Sequence, residues 1–167
     1  MTKNEDIKND RPSWDEYFIK IAALVSERST CLRHHVGAII VKDKRVLTTG
    51  YNGAAAGTKD CLEIGECIKN RLKISSGGGH DVCPAIHAEQ NAIIQGAKHG
   101  EDISGSTIYC THTPCIICAR MIVNSGIKKV VTYVDYPDIG GVMDLFKETG
   151  VELVKIERPS ETIIFLD

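Results

Sequence analysis

The sequence predicts an α/β fold: a three-layer α/β/α domain built on one central, mixed, five-stranded sheet. Two observations predict it. Short β-branched runs and helical segments with recognisable caps follow one another as β-β-α-β-α-β-α-β after a leading helix. The chain has 167 residues, which suits one domain with a proper core. We read 1–12 as a loose, flexible tail and 13–167 as a single domain.

Each element has a local signal. Ser13-Trp14-Asp15-Glu16 is a capping box with Pro12 before it. The helix that follows places Tyr17, Ile21, Leu24 and Val25 on one face and ends near Ser29; Trp14 is assigned to the core. Val36 to Val41 and Val46 to Thr49 read as strands around the turn Asp43-Lys44. Gly50-Tyr51-Asn52-Gly53 reads as turn chemistry closing the second strand. The stretch 57–79 has no periodicity and carries Cys61, Cys67 and three consecutive glycines. A loop this long inside a compact domain is functional or pinned. A helix is expected from His87 to Lys98, with Gly100 as its stop. Thr107 to Thr111 is a strand. Thr113 caps the next helix, with Pro114 at its first position and Gly126 at its end. Val130 to Val134 is a strand, Met143 to Thr149 a helix, and Val151 to Ile156 the last strand.

Composition narrows the function. The formal net charge is −2, so the overall field offers no reason to expect a nucleic-acid polymer as partner. No segment approaches the ~20 apolar residues that span a bilayer. Met1 to Arg11 lacks the apolar stretch of a secretory signal, so a cytoplasmic protein with no membrane association is expected. Seven cysteines, an odd number, several of them near histidines, suit metal binding better than cross-linking in a reducing compartment.

The strongest signal is His87-Ala88-Glu89 followed by Pro114-Cys115-Ile116-Ile117-Cys118. Cys115 and Cys118 are three apart and share a helix face. The positive end of a helix favours thiolates, the forms that bind metal. His87 opens the preceding helix, so two helix N-termini can converge on one ion. An imidazole with two thiolates suits zinc and leaves a fourth position open, as catalytic sites do. Glu89, two residues beyond His87, reads as a proton-transferring base. A purely structural zinc or a Cys-X-X-Cys redox pair is the competing interpretation.

These motifs resemble the zinc deaminases. From about Cys31 to Ile156 the chain is similar to the deoxycytidylate (dCMP) deaminases of the cytidine and deoxycytidylate deaminase superfamily. The similarity rests on Cys31-Leu32-Arg33, Val36-Gly37-Ala38, Val41-Lys42-Asp43, Gly50-Tyr51-Asn52-Gly53 and His87 to Ile93. Tyr109-Cys110-Thr111-His112 and Ser125 to Val131 extend it. The resemblance implies a cytidine deaminase-like fold and hydrolysis of dCMP to dUMP and ammonia in pyrimidine nucleotide metabolism. It implies zinc at His87, Cys115 and Cys118, with Glu89 as the catalytic residue. It further implies a homo-oligomer, commonly a hexamer, activated by dCTP with magnesium and inhibited by dTTP. Asn52 would bond the sugar, Thr113 would lie beside the base, and Tyr136, in Tyr136-Pro137-Asp138, near the nucleotide. Asn52 and Gly53 would also serve the effector. Two departures stand out: Ala55 replaces a usual Pro, and His35 stands where Lys or Arg is common and would meet phosphate.

A second cluster lies in or beside the unpatterned loop. Some relatives carry a structural zinc there, and a Gly-rich loop that cannot bury much apolar surface gains from one. The ligand set expected is Cys31, Cys61, His80 and Cys83, with Cys67 spare; unligated thiols are the alternative. Arg33 is a candidate for substrate phosphate or an ordinary surface arginine. Lys128 and Lys129 read as solvated, and His34 as solvent-facing. Two rival functions stay open: a deaminase of another base or of a nucleoside, and a non-catalytic, zinc-dependent nucleotide-binding module.

Overall fold

The computed structural model describes residues 11–136 and 140–159. Residues 1–10 of the expected tail, together with Pro137 and Asp138, lie outside the described residues, as do residues 160–167 of the expected domain.

The described chain runs α1 (Trp14–Ser26), β1 (Gly37–Lys42), β2 (Arg45–Tyr51), β3 (Gly53–Ala54), α2 (Cys61–Ile64), α3 (Ile68–Arg71) and β4 (Ala85–Ile86). It continues with α4 (Ala88–His99), β5 (Thr107–Cys110), α5 (Ile116–Asn124), β6 (Lys129–Thr132), α6 (Val142–Thr149) and β7 (Glu152–Lys155). The central sheet has five strands in the order β2-β1-β5-β6-β7. β1 pairs antiparallel with β2 and β5, while β5, β6 and β7 are parallel, so the sheet is mixed as expected. The β1–β2 turn places Asp43 at φ 52° and Lys44 at φ 61°, the left-handed pair that a two-residue hairpin needs.

Alternation along β1 shows why there are three layers. Ala38 and Ile40 join Ile108, Val130 and Phe146 on the side covered by α4, α5 and α6. Ile39 and Val41 join Phe18, Ile19, Tyr109 and Val131 under α1. A strand buried on both faces reads as the continuous apolar run seen here.

The capping box at Ser13 and Glu16 is present, and Ile21 and Val25 of the expected face pack against the sheet, but the face is centred differently from the one expected. Phe18, Ile19 and Ala22 are buried, while Trp14, Tyr17 and Leu24 are 44%, 46% and 56% exposed. The reason is Gly37: a Cβ there would lie 2.1 Å from the Ala22 carbonyl oxygen, so the helix backbone sits directly on the strand at a small residue. Trp14 instead stacks on Phe18 at 5.6 Å and lies under the Lys44 ammonium at 5.1 Å. Gly50 follows the same logic. It is a residue of β2 and not a turn, and a Cβ would lie 2.2 Å from the Ala88 carbonyl oxygen. Lys129 is half-buried and pairs with Asp15 at 2.9 Å, where solvation was expected.

Candidate active site

Two helix N-termini meet at the end of the sheet. β4 pairs with β3, Ile86 opposite Gly53, and delivers the chain to His87. His87 is the N-cap of α4, and its backbone N–H donates to Gln90 Oε1 at 2.9 Å. Past β5, the Thr113 N–H and hydroxyl both donate to the Val134 carbonyl, at 2.9 and 3.2 Å. Thr113 therefore anchors the loop to β6, and the helix cap is Cys115, two residues later than expected. Cys118 follows in the first turn of α5.

His87 Nδ1 lies 3.5 Å from Cys115 Sγ and 3.3 Å from Cys118 Sγ. The three ligand atoms are within 4.8 Å of one another, the only such His/Cys/Asp/Glu trio among the described residues. This donor set fits zinc: one imidazole, two thiols, a compact triangle and both helix dipoles aimed at it. The protons are already unevenly shared. Cys115 is driven toward thiolate by hydrogen bonds from Cys118 and His87, whereas Cys118 keeps its proton because it donates to Cys115 and is buried. The bond to Cys115 in turn raises His87.

Glu89 lies beside this triangle and is 4% exposed. Burial pushes its carboxyl upward, opposed chiefly by the neighbouring His87. A carboxyl that sits out of water next to a metal trio and can gain or lose a proton is suited to acid–base work.

The cavity that reaches Glu89 is also bordered by Asn52, Arg33, Thr113 and Tyr136, so the structure brings these expected substrate residues together. Asn52 is buried and braces the rim: its Oδ1 accepts from Val36 N–H at 2.9 Å and its Nδ2 donates to the His34 carbonyl at 2.8 Å. Gly53 does not reach this cavity; it borders an open cleft along β2 with Tyr51, Asn91 and Gln95. His35 is exposed and is not among the lining residues, whereas its neighbour His34 is.

The second expected metal set is not assembled as read from the sequence. Cys31, Cys61, His80 and Cys83 are not within ligand distance of one another. The His80 ring instead stands 5.0 Å from the His87 ring. Cys67, thought spare, is 5% exposed and lines the same cavity as Cys31, Cys61 and Cys83. Cys61 is raised mainly by burial and then by those three thiols.

Residues 12–134 match the family model of the cytidine and deoxycytidylate deaminase zinc-binding region. The chain belongs to the cytidine and deoxycytidylate deaminase family. It is 44% identical over 125 residues to the deoxycytidylate deaminase of Mycobacterium phage D29, covering 72% of this chain and 94% of that one. It is 36% identical over 154 residues to the deoxycytidylate deaminase of Schizosaccharomyces pombe, covering 92% of this chain but 47% of that protein, so it spans about half the length of this relative. Among solved structures, the dCMP deaminase of cyanophage S-TIM5 in complex with dCMP and dUMP is 35% identical, with a TM-score of 0.70, over 87% of this chain and 98% of that one. These relatives bear out both the expected fold and the expectation of a deaminase.

Sequence reading missed several cavity residues. Lys69 and Ser76 come from the unpatterned stretch, His112 from just past β5, and His34, expected to face solvent, lines the cavity as well. Nothing in the local sequence marks Lys69 and Ser76 as neighbours of Glu89; only the tertiary fold brings them to the same cavity.

Proposed function

We propose that this protein deaminates dCMP to dUMP and ammonia, supplying dUMP to pyrimidine deoxynucleotide metabolism. The observation that carries the reading is a buried Glu89 beside the His87, Cys115 and Cys118 triangle in one cavity. The relatives named deoxycytidylate deaminase support dCMP as the substrate. Zinc bound by the triangle would lower the pKa of a water into the neutral range. Glu89 then moves the protons. It takes one from the attacking water, passes it to N3 of the cytosine, and later delivers one to the leaving amino group as the C4–N4 bond breaks. Asn52 holds the rim against the sugar, and Thr113 and Tyr136 border the base and nucleotide.

Glu89→Gln tests this. The variant should keep its zinc and lose about 10²- to 10⁴-fold in turnover; a rate near wild type overturns the assignment. Parallel rates on dCMP and deoxycytidine separate this function from nucleoside deamination.

Control by dCTP with magnesium and by dTTP belongs to the same proposal, with Asn52 and Gly53 joining the active cavity to the β2 cleft. Saturation curves for dCMP with each nucleotide test it. A homo-oligomer, hexamer favoured, is supported by exposed Val46, Tyr51 and Ile94 along the β2 edge and α4; solution mass tests that. A structural zinc in the insertion would draw on Cys31, Cys61 and Cys83 with His80 or Cys67 as the fourth ligand, side chains that must close in on one another to hold it, and two zinc ions per chain are then expected. One per chain with full activity overturns it.

A further inference from the structure

The cavity that reaches Glu89 is bordered by two cations that the chemistry at the base does not use, Arg33 and Lys69. We propose that Lys69 is the residue that selects a phosphorylated substrate, by receiving the 5′-phosphate of the nucleotide; this rests on the dCMP reading above.

Cations near the cavity can be taken one at a time. Arg33 already commits both of its terminal nitrogens to protein partners, although some of its five N–H donors stay free. Its Nη1 donates to the Ile74 carbonyl at 2.9 Å and its Nη2 to Ser76 Oγ at 3.3 Å. It acts as a tie that holds the returning 74–76 segment against the rim. His34 shares Ser76, with Nε2 3.0 Å from Oγ. Burial, Arg33 and Lys69 all push His34 below the ordinary imidazole range. His112 is pushed down by burial and by His34. Both rings are therefore neutral at pH 7, able to donate a hydrogen bond but carrying no charge.

Lys69 differs from these. It lies on the one-turn helix α3, is half-buried, and lines the same cavity as Glu89 and Thr113. The ion pairs found among the described residues are Lys42–Asp102, Arg71–Glu66, Lys129–Asp15 and Lys155–Asp135; none includes Lys69. Arg71, two residues on, has its carboxylate. Lys69 does not, yet it stands near enough to His34 to help push that ring downward. A half-buried ammonium without a counter-charge is costly, and an incoming anion relieves that cost. A phosphomonoester suits the position. Lysine binds phosphate as a point charge, and the neutral His34 and His112 can add hydrogen bonds to its oxygens.

The test compares wild type, Lys69→Met and Lys69→Arg on dCMP and on deoxycytidine, with zinc content and melting temperature measured for each. Lys69→Met should raise KM for dCMP about 10- to 100-fold with a much smaller change in kcat. Its preference for dCMP over deoxycytidine should collapse by the same factor, and Lys69→Arg should restore most of it. Equal losses on both substrates, or an unchanged preference in Lys69→Met, overturn the proposal while leaving the function standing. A wild type that does not prefer dCMP overturns the dCMP reading, and this proposal with it.

Discussion

Gly50→Ala should cripple the active site without touching any residue in it. Gly50 has no positive φ, so alanine fits its backbone conformation. The difficulty is space. The new Cβ would lie 2.2 Å from the Ala88 carbonyl oxygen and 2.4 Å from the Ala92 nitrogen, both backbone atoms of α4. Restoring an ordinary carbon–oxygen contact requires the first turn of α4 to move by about 1 Å, and that turn carries His87 and Glu89. Misplacement on this scale costs about 10²-fold in rate, and overpacking costs about 1–3 kcal/mol of stability. The assay is steady-state deamination of dCMP well below the melting temperature, with zinc quantified on the same sample. Gly100→Ala is the control. Gly100 has φ 72° and nothing within 4 Å of a new Cβ, so the change strains a helix end without pushing on the site. It should cost about 1 kcal/mol or somewhat more and leave the rate alone. Wild-type kcat and full zinc in folded Gly50→Ala would refute the argument that the β2–α4 spacing positions the catalytic pair.

Three further outcomes are expected. The Thr132 hydroxyl is buried and has no partner among the described residues, so Thr132→Val should raise stability by about 1 kcal/mol and the melting temperature by a few degrees; a fall would show that the hydroxyl is satisfied. The Tyr109 hydroxyl donates to Asp15 at 2.7 Å, and Asp15 keeps its Lys129 partner. Tyr109→Phe should therefore cost only about 1 kcal/mol, read by urea titration. Burial, then Asp15, raises the Tyr109 phenol well above the ordinary tyrosine value of 10.0. Its contribution is thus complete below pH 10 and is lost as pH rises further, because the unfolded tyrosine ionises first; Tyr109→Phe should lose stability less steeply in that window. Treatment with a strong chelator should abolish ammonia release and zinc should restore it, whereas undiminished release from metal-free protein would sink the zinc assignment.

How far the sequence discloses the molecule depends on where each interaction lies along the chain. Local rules served well. The Ser13–Glu16 box, the Asp43-Lys44 turn and the Gly100 stop each involve a few consecutive residues, and all appear as read. The His87, Cys115 and Cys118 triangle was legible because it is carried by spacing within two short motifs. Long-range approach was not. Gly37 and Gly50 look like ordinary strand-end glycines, yet each admits a helix backbone, and the close approach at Gly37 buries Ala22 against the sheet while Trp14 stays exposed.

The insertion shows the same limit more sharply. His80 and Cys83 are three apart, a spacing that invites a shared ligand role. That argument holds on a helix, and neither residue lies on one. Two one-turn helices, α2 and α3, occupy the stretch instead, and they decide which side chains face inward. Cys61 opens the first and Cys67 precedes the second, so both are buried and line the cavity that Cys31 and Cys83 also border, while His80 is left beside His87. The same α3 that follows Cys67 carries Lys69. Whatever fixes the cysteines therefore also fixes the ammonium, which couples the fold of the insertion to the anion end of the cavity. Substituting Cys67 with Ser should then disturb dCMP binding as well as stability, raising KM for dCMP more than it lowers kcat. A pure stability loss, with KM unchanged in the folded fraction, would separate the two roles and show that α3 holds its place without that thiol.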